Sequence, residues 1–258
     1  MQNQSSQKIG RIRQLGLAAL LTTGLTSQAQ INYTDGHSDF GVTYENSNWF
    51  IHYRFDSSTT LNGVLNDENP TPVLTGNPTD VRVIVPDEDY SRITLDEDIA
   101  GFLSFMNVSP GGTLWYLDWN GIGGEPYFGL ATEDLDYSQF TGPITLTLSS
   151  ISGPGKFAMW QYDVFGSPMV GWNAADGLDG SDTLSFSSRT HAHYNWGFTE
   201  PGEYVLNVTI SGTHNTDGFL TDTQPIIFQV AAVPEPASGA LAGVGVLTFW
   251  LVRRNKRN

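Results

Sequence analysis

Two histidines separated by one residue stand in the segment Thr190-His191-Ala192-His193-Tyr194-Asn195-Trp196-Gly197-Phe198. On a strand, residues i and i+2 share a face, so both imidazoles would point the same way. Two imidazoles on one face chelate a divalent transition metal, zinc or similar, without any thiolate. His37, in Asp35-Gly36-His37-Ser38-Asp39, is the candidate third ligand, while His52 and His214 lie in less distinctive settings. The competing reading is that His191 and His193 are packed, hydrogen-bonded side chains beside Trp196.

A second candidate is the loop Asp176-Gly177-Leu178-Asp179-Gly180-Ser181-Asp182. Three carboxylates among glycines suit calcium, a hard cation abundant outside cells. The spacing departs from the EF-hand loop, and a solvated acidic turn is the alternative for Asp176, Asp179 and Asp182. Asp87-Glu88-Asp89 and Asp96-Glu97-Asp98 are similar charge clusters. A glycosidase would need one carboxylic acid of raised pKa and one ionised partner. With so many carboxylates present, the existence of some pair carries little information. No Gly-x-Ser-x-Gly elbow, His-Glu-x-x-His helix or phosphate-binding glycine loop occurs. Trp115, Tyr116, Trp119, Tyr127 and Phe128 form the densest aromatic segment, which reads either as a sugar-stacking platform or as core.

The elements that must position these residues read as strands. Trp49, Ile51, Tyr53 and Phe55 alternate with Phe50, His52 and Arg54; Ile144, Leu146 and Leu148 alternate with threonines; Tyr204, Leu206, Val208 and Ile210 alternate with a mixed set. Each run has period two. Shorter apolar runs occupy 81–85, 113–119, 157–162, 183–186 and 225–230. Turn clusters separate the runs, among them Ser109 to Gly112, Gly121 to Gly124, Gly153-Pro154-Gly155 and Pro201-Gly202. This punctuation predicts an all-β fold, an antiparallel β-sandwich, with no helix signal in the body. No longer period repeats, so residues 30–232 read as one domain. Asn62 to Asp80 reads as a long surface loop.

Charge narrows the partners. Between Ile31 and Val233 lie five basic side chains and 26 carboxylates, a net of −21. Such a body repels phosphate, which excludes nucleic acid and disfavours anionic lipid. Fourteen Phe, ten Tyr and seven Trp supply a core, and the absence of Cys excludes disulfides and thiolate chemistry.

The two ends read as addresses. Lys8, Arg11 and Arg13 precede the apolar stretch Leu15 to Leu25, and Ser27-Gln28-Ala29 offers a cleavage site after Ala29. Residues 1–29 therefore read as a signal peptide, a signal helix cut by signal peptidase. Residues 233–258 begin with Val233-Pro234-Glu235-Pro236, continue through an uncharged stretch from Ala237 to Val252, and close with Arg253-Arg254-Asn255-Lys256-Arg257. Sixteen helical residues rise about 24 Å, short of a bilayer core of about 30 Å. Such a short transmembrane helix would leave Arg253 and Arg254 snorkelling on the cytoplasmic side and the acidic body outside. This tail resembles the PEP-CTERM sorting signal of Gram-negative bacteria, with Pro234, Glu235 and Pro236 as its motif and the arginines as its basic end. The resemblance implies recognition by a membrane-embedded exosortase and delivery to the cell surface, outer envelope or extracellular matrix.

The body, from about Thr34 to Gly212, resembles the choice-of-anchor M or actinobacterial surface-anchored protein domain. Gly36-His37-Ser38-Asp39, Thr132-Glu133, Gly153-Pro154-Gly155 and the run from His191 through Asn195-Trp196 to Pro201-Gly202-Glu203-Tyr204 carry the resemblance. Such domains are often encoded near metal-uptake transporters, which implies a metal role for His37, His191 and His193. The expectation is an exported, non-enzymatic surface protein that binds a divalent metal; a carbohydrate-binding module or extracellular polysaccharide hydrolase is the alternative.

Overall fold

The computed structural model describes residues 30–66, 73–74 and 78–231. The signal peptide at 1–29 and the sorting signal and helix at 233–258 lie outside the described residues. Among the described residues no helix is long and apolar enough to cross a membrane.

The described chain is mostly strand. In order these are β1 (Ile31–Glu45), β2 (Asn48–Phe55), β3 (Thr60–Leu61), β4 (Val64–Leu65), β5 (Val73–Leu74), β6 (Val81–Val85), β7 (Arg92–Thr94), β8 (Thr113–Leu117), β9 (Pro126–Ala131), β10 (Phe140–Ser152), β11 (Phe157–Tyr162), β12 (Pro168–Asn173), β13 (Thr183–Phe186), β14 (His191–His193), β15 (Asn195–Phe198), β16 (Gly202–His214) and β17 (Gly218–Val230). The larger sheet runs β13-β10-β16-β17-β6-β1-β2-β5, with β9 and β14 added beside β1; the smaller runs β12-β11-β15-β8-β7. The two faces meet over one aromatic core. Phe228 of β17 lies 5.2 Å from Trp196 and 5.0 Å from Phe198, both of β15, and Phe128 of β9 lies 5.2 Å from Trp196. Full burial of each such ring contributes about 1.5–3 kcal/mol, which is why the period-two runs lie flat against one another.

Three features depart from the sequence expectation. The sheet is mixed rather than purely antiparallel, since β1 pairs in parallel with β6 and with β9, and β17 in parallel with β6. A short helix, α1 (Glu97–Phe102), occupies one acidic cluster: Asp96 is its N-cap and accepts the Ile99 N–H at 2.8 Å. With the following turn it covers the outer face of the smaller sheet, where Leu103, Met106, Leu114 and Trp160 form a second buried cluster. The expected loop over 62–80 contains strands β4 and β5 and opens with the turn of the β3–β4 hairpin, Asn62-Gly63, both residues at positive φ.

Strand β1 matters most for function. Its first residues pair with β6, and its second half passes between β2 and β9. The change of direction falls at Gly36, φ +83, where an added Cβ would lie 2.0 Å from the Ser58 carbonyl oxygen. Only glycine allows both that conformation and that approach. Gly36→Ala is therefore expected to destabilise the protein by about 2–4 kcal/mol, measured by denaturant unfolding; a loss within about 0.5 kcal/mol would mean that the Ser58 loop yields freely.

Candidate metal centre

Strand β9 lies between β1, which runs parallel to it, and β14, which runs antiparallel. His37 pairs with Tyr127; Asp39 and His193 both pair with Gly129; His191 pairs with Ala131. Alternation sends Phe40, Phe128 and Leu130 into the core. It leaves His37, Asp39, His191 and His193 on the opposite face. Gly129 is the floor beneath them: an added Cβ there would lie 2.5 Å from Asp39 Oδ1 and 2.9 Å from His193 Cε1.

Over that floor the side chains converge. The Nε2 atom of His37 is 3.3 Å from that of His191 and 3.2 Å from that of His193, and the latter two are 2.9 Å apart. Asp39 Oδ1 lies 3.0 Å from His191 Nε2 and 3.8 Å from His193 Nε2, and Asp39 Oδ2 lies 3.6 Å from His37 Nε2. One ligand atom from each of the four residues falls within 4.8 Å of every other. Zinc–nitrogen bonds of about 2.0–2.1 Å imply tetrahedral edges of about 3.3–3.4 Å. Three imidazoles and a carboxylate at this spacing can surround one ion.

The three histidines have neighbours behind them. His37 Nδ1 donates to Asp56 Oδ2 at 3.0 Å, which leaves the Nε2 lone pair facing the centre. Asp56 in turn accepts the Ser58 N–H and hydroxyl, at 2.7 and 2.6 Å. Burial opposes ionisation of Asp56, but Ser58 and the His37 imidazole outweigh it and hold the carboxyl below its usual value. The same loop grips the His37 backbone, whose N–H donates to Ser58 Oγ and whose carbonyl accepts from the Thr59 hydroxyl. Tyr127 stacks on His193 with ring centroids 3.7 Å apart and planes 11° apart. Glu133 Oε2 stands 3.7 Å from His191 Nδ1 and 3.4 Å from Arg54 Nη1.

The electrostatics of the centre keep a proton off His193 and favour one on Asp39. Burial, followed by the neighbouring His37 and His191 imidazoles, pushes His193 down to about 3. Asp39, 1% exposed, is raised by burial despite His37 and His191 beside it. Its buried Oδ1 has only the His191 Nε2 atom, at 3.0 Å, close enough to donate to it. A divalent ion at the centre would satisfy that oxygen and the three nitrogen lone pairs together.

The structure thus brings His37, His191 and His193 together and adds Asp39, Asp56, Tyr127 and Glu133. Asp39 carried a usable signal, since it follows His37 by two as His193 follows His191. The loop of Asp176, Asp179 and Asp182 is built differently. Asp182 accepts the N–H groups of Asn173 and Asp179 at 2.6 and 2.9 Å, and Asp179 accepts from Ser181. Among the described residues these three carboxylates do not form a group that could hold an ion, and local backbone donors occupy Asp179 and Asp182. His52 faces Asp134 at 3.3 Å, and His214 bonds within its own turn, both apart from the cluster. Of the aromatic segment, Phe128 is core, Trp115 donates its indole N–H to Asp87, and Tyr127 belongs to the histidine cluster.

Comparison with known proteins addresses the tail rather than this site. No curated protein and no solved structure matches the chain, and nothing found there supports the resemblance of the body to surface-anchored domains. Residues 232–257 match the PEP-CTERM protein-sorting motif, which implies processing by an exosortase and export to the cell envelope or surface.

Proposed function

We propose that the exported body is a metal-binding surface module, holding one zinc-like divalent ion through His37, His191, His193 and Asp39. The observation that carries this reading is the approach of three Nε2 atoms to within 3.3 Å of one another beside a buried carboxylate oxygen 3.0 Å from one of them. Four protein ligands fill a tetrahedral shell and leave no position for a reactive water, so the reading is binding rather than catalysis. His37 and His191 are about a quarter and a third exposed, so the ion can exchange with solution. What weighs against the hydrolase alternative is that Asp39 and Glu125, the two carboxyls that burial raises among the described residues, are each 1% exposed, and Glu125, pushed up to about 7, accepts the Asp118 N–H. The residues that suggest the surface-anchored family, Gly36 to Asp39, Glu133 and His191 to His193, are those that build the cluster. Proposed partners are signal peptidase, the exosortase and the envelope or matrix to which the tail delivers the body.

Titration of the metal-free protein with zinc tests the reading. The wild type should bind one equivalent, and His191→Ala and His193→Ala should each weaken binding about a hundredfold or more. Equal, weak, salt-sensitive binding in all three would assign the ion to the acidic surface instead. Neutral imidazole is the binding form, so affinity should fall in acid as protons compete for the ligand nitrogens. The metal-free fold has its own acid limit. His193 stays neutral down to about 3, whereas an unfolded histidine takes up a proton near 6.5. Between those values the unfolded chain binds the extra proton, so this contribution to stability is present above about 6.5 and is lost as pH falls.

A further inference from the structure

We infer that a second site, independent of the histidine cluster, binds a neutral pyranose unit of a polysaccharide in the cleft between α1 and the outer face of the smaller sheet. The cleft has a volume of about 440 Å³, within the range of small-molecule sites. Its walls include Phe102 of α1, Tyr116 of β8 and Tyr162 of β11. Phe102 and Tyr162 are 5.7 Å apart with planes inclined by 36°, and Trp119 meets Tyr162 edge-on at 6.0 Å. Asp98 and Asp118 line the same cleft, as does Trp160.

The polar groups choose among ligands. Trp160 is 2% exposed, and its indole N–H has no acceptor in the protein. A buried donor of this kind calls for an acceptor from the ligand. The carboxylates of Asp98 and Asp118 accept only, so the ligand must also donate. A cation would serve the carboxylates and the ring faces but offers nothing to Trp160. An acidic sugar or phosphate would meet a body of net charge −21 between Ile31 and Val233. A neutral pyranose meets every requirement: its hydroxyls both donate and accept, and its C–H face stacks on an aromatic ring.

The test uses the full-length chain in a sugar-free zwitterionic detergent and a panel of neutral hexasaccharides from cellulose, xylan and a β-1,3-glucan, read by isothermal calorimetry. At least one should bind with a dissociation constant of about 1 mM or tighter, without dependence on salt. Phe102→Ala removes a side chain that is 41% exposed, so the fold is not at risk. Asp118→Asn keeps the acceptor that Asn120 N–H uses at 2.7 Å. Each should weaken binding about tenfold or more, while His191→Ala leaves it unchanged. Failure of every neutral probe, or equal affinity in Phe102→Ala and Asp118→Asn, overturns the assignment. Salt-sensitive binding of choline or of an oligolysine peptide in place of the sugars would make the cleft a cation site and would overturn it equally. Loss of sugar binding in His191→Ala would remove its independence from the metal centre.

Discussion

Zinc at a thousandfold excess over its dissociation constant is expected to raise the melting temperature of the metal-free protein by roughly 8–16 °C. Binding to the folded state alone contributes about 4.1 kcal/mol at that excess, and each kcal/mol moves a domain of this size by about 2–4 °C. The ligands explain why the folded state alone binds: they come from two strands 154 residues apart in sequence at His37 and His191, and only their common pairing with β9 brings them together. His191→Ala should lose most of the shift. Asp39→Asn is the sharper variant, because it keeps the shape and removes the charge facing the three imidazoles. If Asp39→Asn retains the full shift, the carboxylate is not a ligand. The shift should survive about 0.5 M salt, whereas attraction to the acidic surface is screened over a few ångströms there. Calcium, which prefers six to eight oxygens, should produce little shift at this nitrogen-rich centre.

The chemistry of this centre could be read in the sequence to the extent that it is local. Period two places His191 beside His193 and, by the same rule, His37 beside Asp39. Asp39 escaped notice because it is one carboxylate among 26 in the body, and sequence alone does not distinguish the buried one. Gly129, Tyr127 and Asp56 belong to the site through pairing and loop closure, and no local pattern announces that. The strands themselves were legible from alternating burial. Their parallel pairings were not, since a half-buried strand alternates in the same way whichever direction its neighbour runs. Helix α1 was hidden for a different reason. Six residues span less than two turns, too few to display a 3.6-residue period, and its capping Asp96 stands in what otherwise reads as a charge cluster. The aromatic segment was misleading in detail because Trp115, Tyr127 and Phe128 lie close in sequence yet serve three different surroundings.

Gly129→Ala should abolish tight metal binding while leaving the fold intact. The residue touches no ion and contributes no donor atom; its role is to be absent above the backbone where Asp39 and His193 meet. A methyl group there would stand 2.5 Å from Asp39 Oδ1, 2.9 Å from His193 Cε1 and 3.1 Å from the Ala192 carbonyl oxygen. The first two contacts are far tighter than van der Waals packing allows, and both are with the ends of side chains. Those ends can rotate away, so the strain is relieved by moving two of the four ligands rather than by opening the sheet. Alanine also costs less backbone entropy than glycine in a strand, by about 0.5–1 kcal/mol. The metal-free variant should therefore melt within a few degrees of the metal-free wild type, while its zinc affinity falls about a hundredfold or more, in line with the tolerance of such centres to displaced ligands. Calorimetric titration and thermal melting on the same two samples separate the outcomes. Undiminished affinity would place the ion somewhere other than above Gly129. A collapse in the melting temperature of the metal-free variant would instead show that the glycine is required by the packing of β1, β9 and β14, and that the ligands cannot move aside.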